Sequence, residues 1–239
     1  MSYELGLFAL AVFLYLYDSS LLLYSNEAVL TWDGSRWAAR TGLHGFLLAG
    51  RTLCVLNPFA PHLPAYRLSW DLHGSKTDYP ETWTEQNRGL EILAPTTLGA
   101  ALALFVLLPL GMFTALGAFA VIPALVLLYG SIVVSLFQVR HREILIRQDR
   151  KHFLALAFEC LACPPFGVNM VRRATLAYRI SEPLPLAAVR LLDVASWVKL
   201  RDFCVSRLQD AMQVVAADSE EEKLLEAQKA RLLGLDGGA

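Results

Sequence analysis

The sequence predicts an α-helical integral membrane protein with about three transmembrane helices, a small cytoplasmic β-meander and C-terminal amphipathic helices. Three observations carry that expectation. Ile92–Val139 is a run of 48 residues without a charge. The first 24 residues contain no Lys or Arg. The cations gather elsewhere, with twelve Lys or Arg against six Asp or Glu in residues 138–207. Composition agrees: 55% of residues are apolar and 18% charged, with a mean hydropathy of +0.43, against roughly 25% charged in an average soluble domain.

Five segments follow in chain order: 1–24, 25–94, 95–137, 138–183 and 184–239. In the first, Leu5–Tyr24 is long enough for one span. It lacks the basic start and small-residue cleavage site of a secretory signal, so it is expected to remain as an anchor. Tyr15, Tyr17 and Tyr24 suit the depth where a helix meets the headgroups.

Residues 25–94 turn β-like. Glu27–Trp32 and Ser35–Arg40 flank Asp33-Gly34, which predicts a two-residue hairpin turn. Phe46–Ala49 and Thr52–Leu56 flank Gly50-Arg51 and predict a second hairpin. An irregular stretch punctuated by Pro58, Pro61 and Pro64 and a polar loop over Trp70–Glu91 complete the region.

In the third segment, one helix of 48 residues would be about 70 Å long, far more than a bilayer core of about 30 Å. Two spans are expected instead, near Pro95–Phe113 and Ala118–Phe137, joined by Thr114-Ala115-Leu116-Gly117. Membrane helices tolerate Pro109 and Pro123, and Gly99, Ala100, Ala101, Ala103, Gly130, Ser131 and Ser135 permit close packing. The cationic flanks lie on one side of a three-span chain. The positive-inside rule then places the N-terminus outside and the C-terminus in the cytoplasm, consistent with a bacterial inner membrane.

The fourth segment is basic. Arg140, Arg142, Arg147, Arg150 and Lys151, with Arg172 and Arg173, are expected to contact lipid headgroups. Between them, apolar Phe153–Val171 contains Glu159 and Pro164-Pro165. A full span there would strand Arg172, Arg173 and Arg179 outside, so an interfacial or re-entrant segment is expected. In the last segment Val189, Leu192, Trp197, Leu200, Cys204, Leu208 and Met212 follow a helical stripe. Ser219 and Glu222 have capping-box spacing at the start of a final helix.

Few residues suggest chemistry. Cys160 and Cys163 have the C-x-x-C spacing that can hold a metal or cycle through a disulfide. No second pair follows, and cysteines also occur as ordinary residents of apolar helices or as acylation sites. Asp18 is the ionisable residue well inside a predicted span, hence a candidate for ion or proton coupling or for a hydrogen bond to a neighbouring helix. His44, His62, His73, His141 and His152 are scattered, although His62, His73 and Asp71 share a loop region. Trp32, Arg36, Trp37 and Arg40 are explained by a hairpin face without nucleic acid. There is no phosphate-cradling glycine loop, nucleophile elbow or H-E-x-x-H.

The sequence therefore leads to a non-enzymatic accessory, assembly or scaffolding subunit of a larger membrane complex. No cofactor is expected. Its partners would be membrane lipids and other membrane subunits or itself. A thiol- or metal-dependent enzyme using Cys160 and Cys163, and a transport component using Asp18, are the alternatives.

Overall fold

A computed structural model describes residues 2–42, 47–70, 87, 89–141, 150–177, 182–217 and 219–235. These form two compact units, each assembled from interleaved stretches of chain. The fold is mainly helical with a small antiparallel sheet component, and two helices are long and apolar enough to cross a membrane.

The first unit comprises residues 1–21, 55–64 and 85–178. Its α1, Ser2–Asp18, is a 17-residue helix. The helix is shorter than the apolar run: Leu5–Tyr24 stops being helical at Asp18, and Ser20–Leu23 forms strand β1. The Ser20 hydroxyl donates to the Tyr17 carbonyl (2.7 Å), a local bond that competes with helix continuation. At 1.5 Å per residue α1 is about 26 Å long, short of a bilayer core of about 30 Å. Among the described residues, two helices rather than three are both long and apolar enough to cross.

Those two are the continuous run Gly89–Phe113 and α4, Ala118–His141. The first contains α2 (Ala94–Leu102), a π turn (Ala103–Leu107) and α3 (Leu108–Phe113). The π turn has a physical cause. Pro109 has no N–H, and its ring would crowd the carbonyl four residues earlier. The extra residue in the preceding turn widens the helix there, with Leu108 N–H donating to the Ala103 carbonyl. The chain reverses at residues 114–117, where Gly117 takes a φ of +49°. The hairpin then closes on small residues: Gly99 faces Ser131, Gly111 faces Ala120 and Val121, and the Ser135 hydroxyl donates to Thr96 Oγ1 (2.6 Å).

Along α4, Ala124, Leu128, Ser131, Ile132, Ser135, Leu136 and Val139 form the buried stripe. Most of both long helices faces outward, exposing Leu98, Val106, Phe119, Val126, Val133 and Phe137 among others. α1 is antiparallel to the run Gly89–Phe113, since Phe8 meets Phe113 (6.2 Å) and Tyr15 meets Phe105 (4.8 Å).

Phe153–Val171, expected to be interfacial or re-entrant, is three short helices: α5 (Arg150–Ala162), α6 (Pro164–Val168) and, continuing past it, α7 (Met170–Leu176). Pro164 and Pro165 open α6, where a missing N–H costs nothing. α6 packs against α1, α2 and α4.

The second unit comprises residues 22–54, 65–84 and 179–239. It contains most of the sheet residues, and the strands do not form the expected meander. One sheet has the order β3 (Trp37–Arg40), β2 (Glu27–Trp32), β6 (Ala65–Ser69); the other has β1, β5 (Arg51–Val55), β4 (Leu47–Leu48). Strand β6 lies in the stretch expected to be irregular; its prolines precede it, and Ala65, Tyr66 and Leu68 are buried.

The first hairpin is looser than expected. Trp32 pairs with Trp37, which leaves four connecting residues. Asp33 Oδ1 holds them by accepting the Ser35 and Arg36 backbone N–H groups at 3.0 and 2.8 Å. The two-residue turn occurs in the other hairpin, at Ala49-Gly50, both with positive φ, between paired Leu48 and Arg51.

Expected helix Leu184–Ala216 is split. α8 spans Leu184–Leu191 and α9 spans Val194–Met212. Asp193 interposes as N-cap, accepting from the Ser196 backbone N–H at 2.8 Å. The stripe residues Leu192, Trp197, Leu200, Cys204 and Leu208 are buried against Ala28, Leu30, Trp37, Tyr66 and Leu68. α10, Glu220–Leu233, starts at Ser219, whose hydroxyl accepts from Glu222 N–H at 3.1 Å.

Candidate functional site

The polar residues of the first unit converge where α1 ends. The last turn of α1 brings Tyr15, Asp18 and Ser19; the loop after β5 brings Asn57 and Ala60; α5 brings Glu159; and the α6–α7 junction brings Asn169, Arg172 and Arg173. Apolar periodicity explains the placement. Val168, Met170, Val171 and Ala174 join the core, and burying them draws the intervening polar residues in with them.

Arg172 is 2% exposed. Its Nη1 donates to Ser19 Oγ and Asn169 Oδ1, each at 3.3 Å, and its Nη2 to the carbonyls of Asn57 and Ala60 (2.6 Å to Ala60). Asn169, also buried, donates to Ser19 Oγ at 3.0 Å and to the Tyr15 carbonyl at 3.3 Å. The Tyr15 hydroxyl donates to the Pro58 carbonyl. A rigid five-donor fork suits such a ring of acceptors better than an ammonium does.

Arg173 forms the second half of the cluster. Its guanidinium bridges Asp18 and Glu159 and lies 4.5 Å from the centre of the Phe166 ring. Burial works against its charge, but the Asp18 and Glu159 carboxylates overcome this and hold it above the ordinary arginine value. Burial, with the positive charge of Arg172, pushes the His62 imidazole below its usual range, favouring the neutral ring. The formal charges of Asp18, Glu159, Arg172 and Arg173 cancel.

The expected site residues therefore separate. Asp18 has an arginine partner, Arg173, which the sequence placed at the headgroups. Arg172 is likewise buried inside the unit, with its guanidinium hydrogen-bonded to its neighbours. Arg140, Arg150 and Lys151 are exposed, as are His141 and His152. Arg142, Arg147, His44, His73 and Asp71 lie outside the described residues.

Cys160 is buried and its thiol donates weakly to the Phe166 carbonyl at 3.8 Å. Burial pushes that thiol up to about 12, and raises Cys163 as well. Among the described residues no group of three or more His, Cys, Asp or Glu is arranged to hold a metal ion. Trp32 and Trp37 are core residues, 5.4 Å apart beside Tyr66.

In the second unit, Lys199, Asp202, Phe203, Ser206, Arg207 and Asp210 of α9, with Thr41, line an open cleft of about 570 Å³. Its two cations and two acids offset one another, and it contains none of the residues singled out by motif. Cys204, on the opposite face of the same helix turn, is in the core, and burial pushes its thiol up to about 12.

Ser19, Asn57, Glu159 and Asn169 were not anticipated as members of one cluster. The available signal was that Glu159, Asn169, Arg172 and Arg173 interrupt an apolar segment. Ionisable groups surrounded by apolar residues need partners, and Asp18 was the unmatched acid. Comparison with family models, curated proteins and solved structures returns no match. The cluster holds α1, the 57–60 loop and α5–α7 together.

Proposed function

We propose that this chain is a membrane-resident, non-enzymatic accessory, assembly or scaffolding subunit of a larger membrane complex. The observation that carries the reading is a contrast within the first unit. Its ionisable cluster is committed to internal pairing, while α1 and the two long helices leave their apolar faces uncovered. Isolated apolar side chains on a surface need no explanation, but broad contiguous faces call for lipid or a protein partner.

In this reading the two long helices cross the bilayer. α1 crosses as a short third span that local thinning accommodates, with the N-terminus outside and the C-terminus in the cytoplasm of a bacterial inner membrane. Exposed Arg140, Arg150 and Lys151 then meet anionic headgroups, an attraction of about 1 kcal/mol per residue near the surface. The chain's partners are lipids and other membrane subunits or further copies of itself.

The test is extraction from native membranes in mild detergent followed by native mass spectrometry. Defined protein partners at fixed stoichiometry are expected. A chain recovered only as a bare monomer removes the subunit reading. A second result, turnover lost in Cys163→Ser, would favour the thiol enzyme over the scaffold.

A further inference from the structure

The apolar segment between the basic clusters packs α5 and α6 against α4. α5 starts next to the end of α4, where the Arg140 guanidinium lies 5.9 Å from the Phe153 ring centre. Farther along, α5 and α6 reach Ile132. A Cβ on Gly167 would lie 2.5 Å from Ile132 Cδ1 and 3.2 Å from the Cys160 carbonyl oxygen. α5 is therefore antiparallel to α4. It reverses about 12 Å from Arg140, counting 1.5 Å for each residue of α4 from Arg140 back to Ile132. A bilayer core is about 30 Å thick, so this is less than half a crossing.

Two further features fit that depth. Irregular backbone inside a bilayer must find its hydrogen-bond partners within the protein. Here Cys163 N–H donates to the Glu159 carbonyl (2.9 Å), Phe166 to Cys163 (2.8 Å), Asn169 to Phe166 (3.1 Å) and Arg173 to Asn169 (3.0 Å). The outer face of α5 is also sorted by chemistry. Arg150, Lys151 and His152 are exposed at the end near Arg140, and beyond them Leu154, Phe158 and Leu161 are 56%, 73% and 39% exposed, interrupted by the half-exposed Glu159, which is paired with Arg173. That apolar stripe runs alongside the stretch of α4 that exposes Val133, Val134 and Phe137.

We propose that α5–α7 is a re-entrant hairpin, and that Leu154, Phe158 and Leu161 contact the acyl chains of the leaflet next to Arg140. The proposal rests on α4 crossing the membrane, as argued above. It makes the segment neither a fourth span nor a helix lying in water, and it returns the chain to the side from which α5 entered.

The test uses the full chain carrying Cys163→Ser, reconstituted in phosphatidylcholine–phosphatidylglycerol vesicles. Cys54, Cys160 and Cys204 are buried and do not react in the folded protein. Single cysteines are added as Phe158→Cys, Leu161→Cys, Val126→Cys, Arg150→Cys and Ala177→Cys. Variants eluting as the parent does in detergent are carried forward, and Phe158 and Leu161 serve as alternates for one another. Polarity-sensitive maleimide adducts are then challenged with brominated lipids.

The expected result is quenching at residues 158 and 161 as at residue 126, with no quenching at 177. Impermeant maleimide should label 150 and 177 from the same side of the vesicle. Quenching at 126 with none at 158 and 161 overturns the hairpin and leaves the membrane reading intact. Labelling of 150 and 177 from opposite sides overturns it in favour of a full span. Absence of quenching at 126 removes the membrane reading, and the proposal with it.

Discussion

Arg172 gives its guanidinium four acceptors from three separate parts of the chain. Removing a charged donor from this buried site costs each of its acceptors a hydrogen bond and leaves a cavity in the core. Arg172→Met is expected to destabilise the first unit by about 3 kcal/mol or more. Arg172→Lys should recover only part of that loss, because one ammonium cannot reproduce two divergent N–H arms. Thermal unfolding in detergent checks both. A loss under roughly 0.5 kcal/mol, the size of an ordinary surface substitution, would sink the structural role assigned to this residue. The sequence showed that Arg172 and Arg173 were cationic and flanked an apolar stretch. It did not show which way they face, because an arginine beside a bilayer can reach outward to phosphate or inward to carbonyls with the same local pattern.

At the level of elements, the hairpin of the two long helices offers a paired comparison. A Cβ at Gly111 would sit 2.8 Å from the Val121 backbone nitrogen and 2.6 Å from its Cγ2, whereas one at Gly130 would meet nothing within 4 Å. Gly111→Ala must therefore push the helices apart and should cost about 1–3 kcal/mol. Gly130→Ala adds helix propensity without a clash and should be neutral or stabilising by up to about 1 kcal/mol. Opposite signs in the same unfolding assay support this packing; a stabilising Gly111→Ala would show that the helices do not approach there. The long apolar helices and their turn were legible because a 48-residue charge-free run admits few other solutions. The C-terminal stripe was legible because its periodicity is helical. The end of α1 was not, since Leu21, Leu22 and Leu23 are as apolar in a strand as in a helix.

For the whole molecule, the decisive feature is that each unit is built from three separated stretches of chain. The helices of residues 179–239 are not self-sufficient. Leu184, Trp197, Leu200 and Leu208 pack with Ala28, Leu30, Trp32, Tyr66 and Leu68 from the strands. Fully burying one such side chain is worth about 1.5–3 kcal/mol. The isolated fragment 179–239 should therefore fail to unfold cooperatively, with Trp197 emission at the solvent-exposed wavelength. A cooperative transition and a buried Trp197 in that fragment would show that the strands are dispensable. The expected division into five consecutive segments treats the chain linearly, and long-range pairing such as β2 with β6 has no local signature in the residues between them.

Local residue pattern was enough to say where helices could be long and apolar, where turns could form and which C-terminal residues would share one face. These are properties of spacing and composition, and each acts over a few turns of chain. Tertiary structure decided which polar groups meet. It assigned Asp18 to Arg173, enclosed Arg172 among polar acceptors, buried the Cys160 thiol and brought α6 against α4 at Gly167 and Ile132. The physical reason is desolvation. Once apolar packing removes a charge or an amide from water, it must be satisfied by whatever the fold brings within hydrogen-bond reach. In this chain the partners stand more than a hundred residues apart.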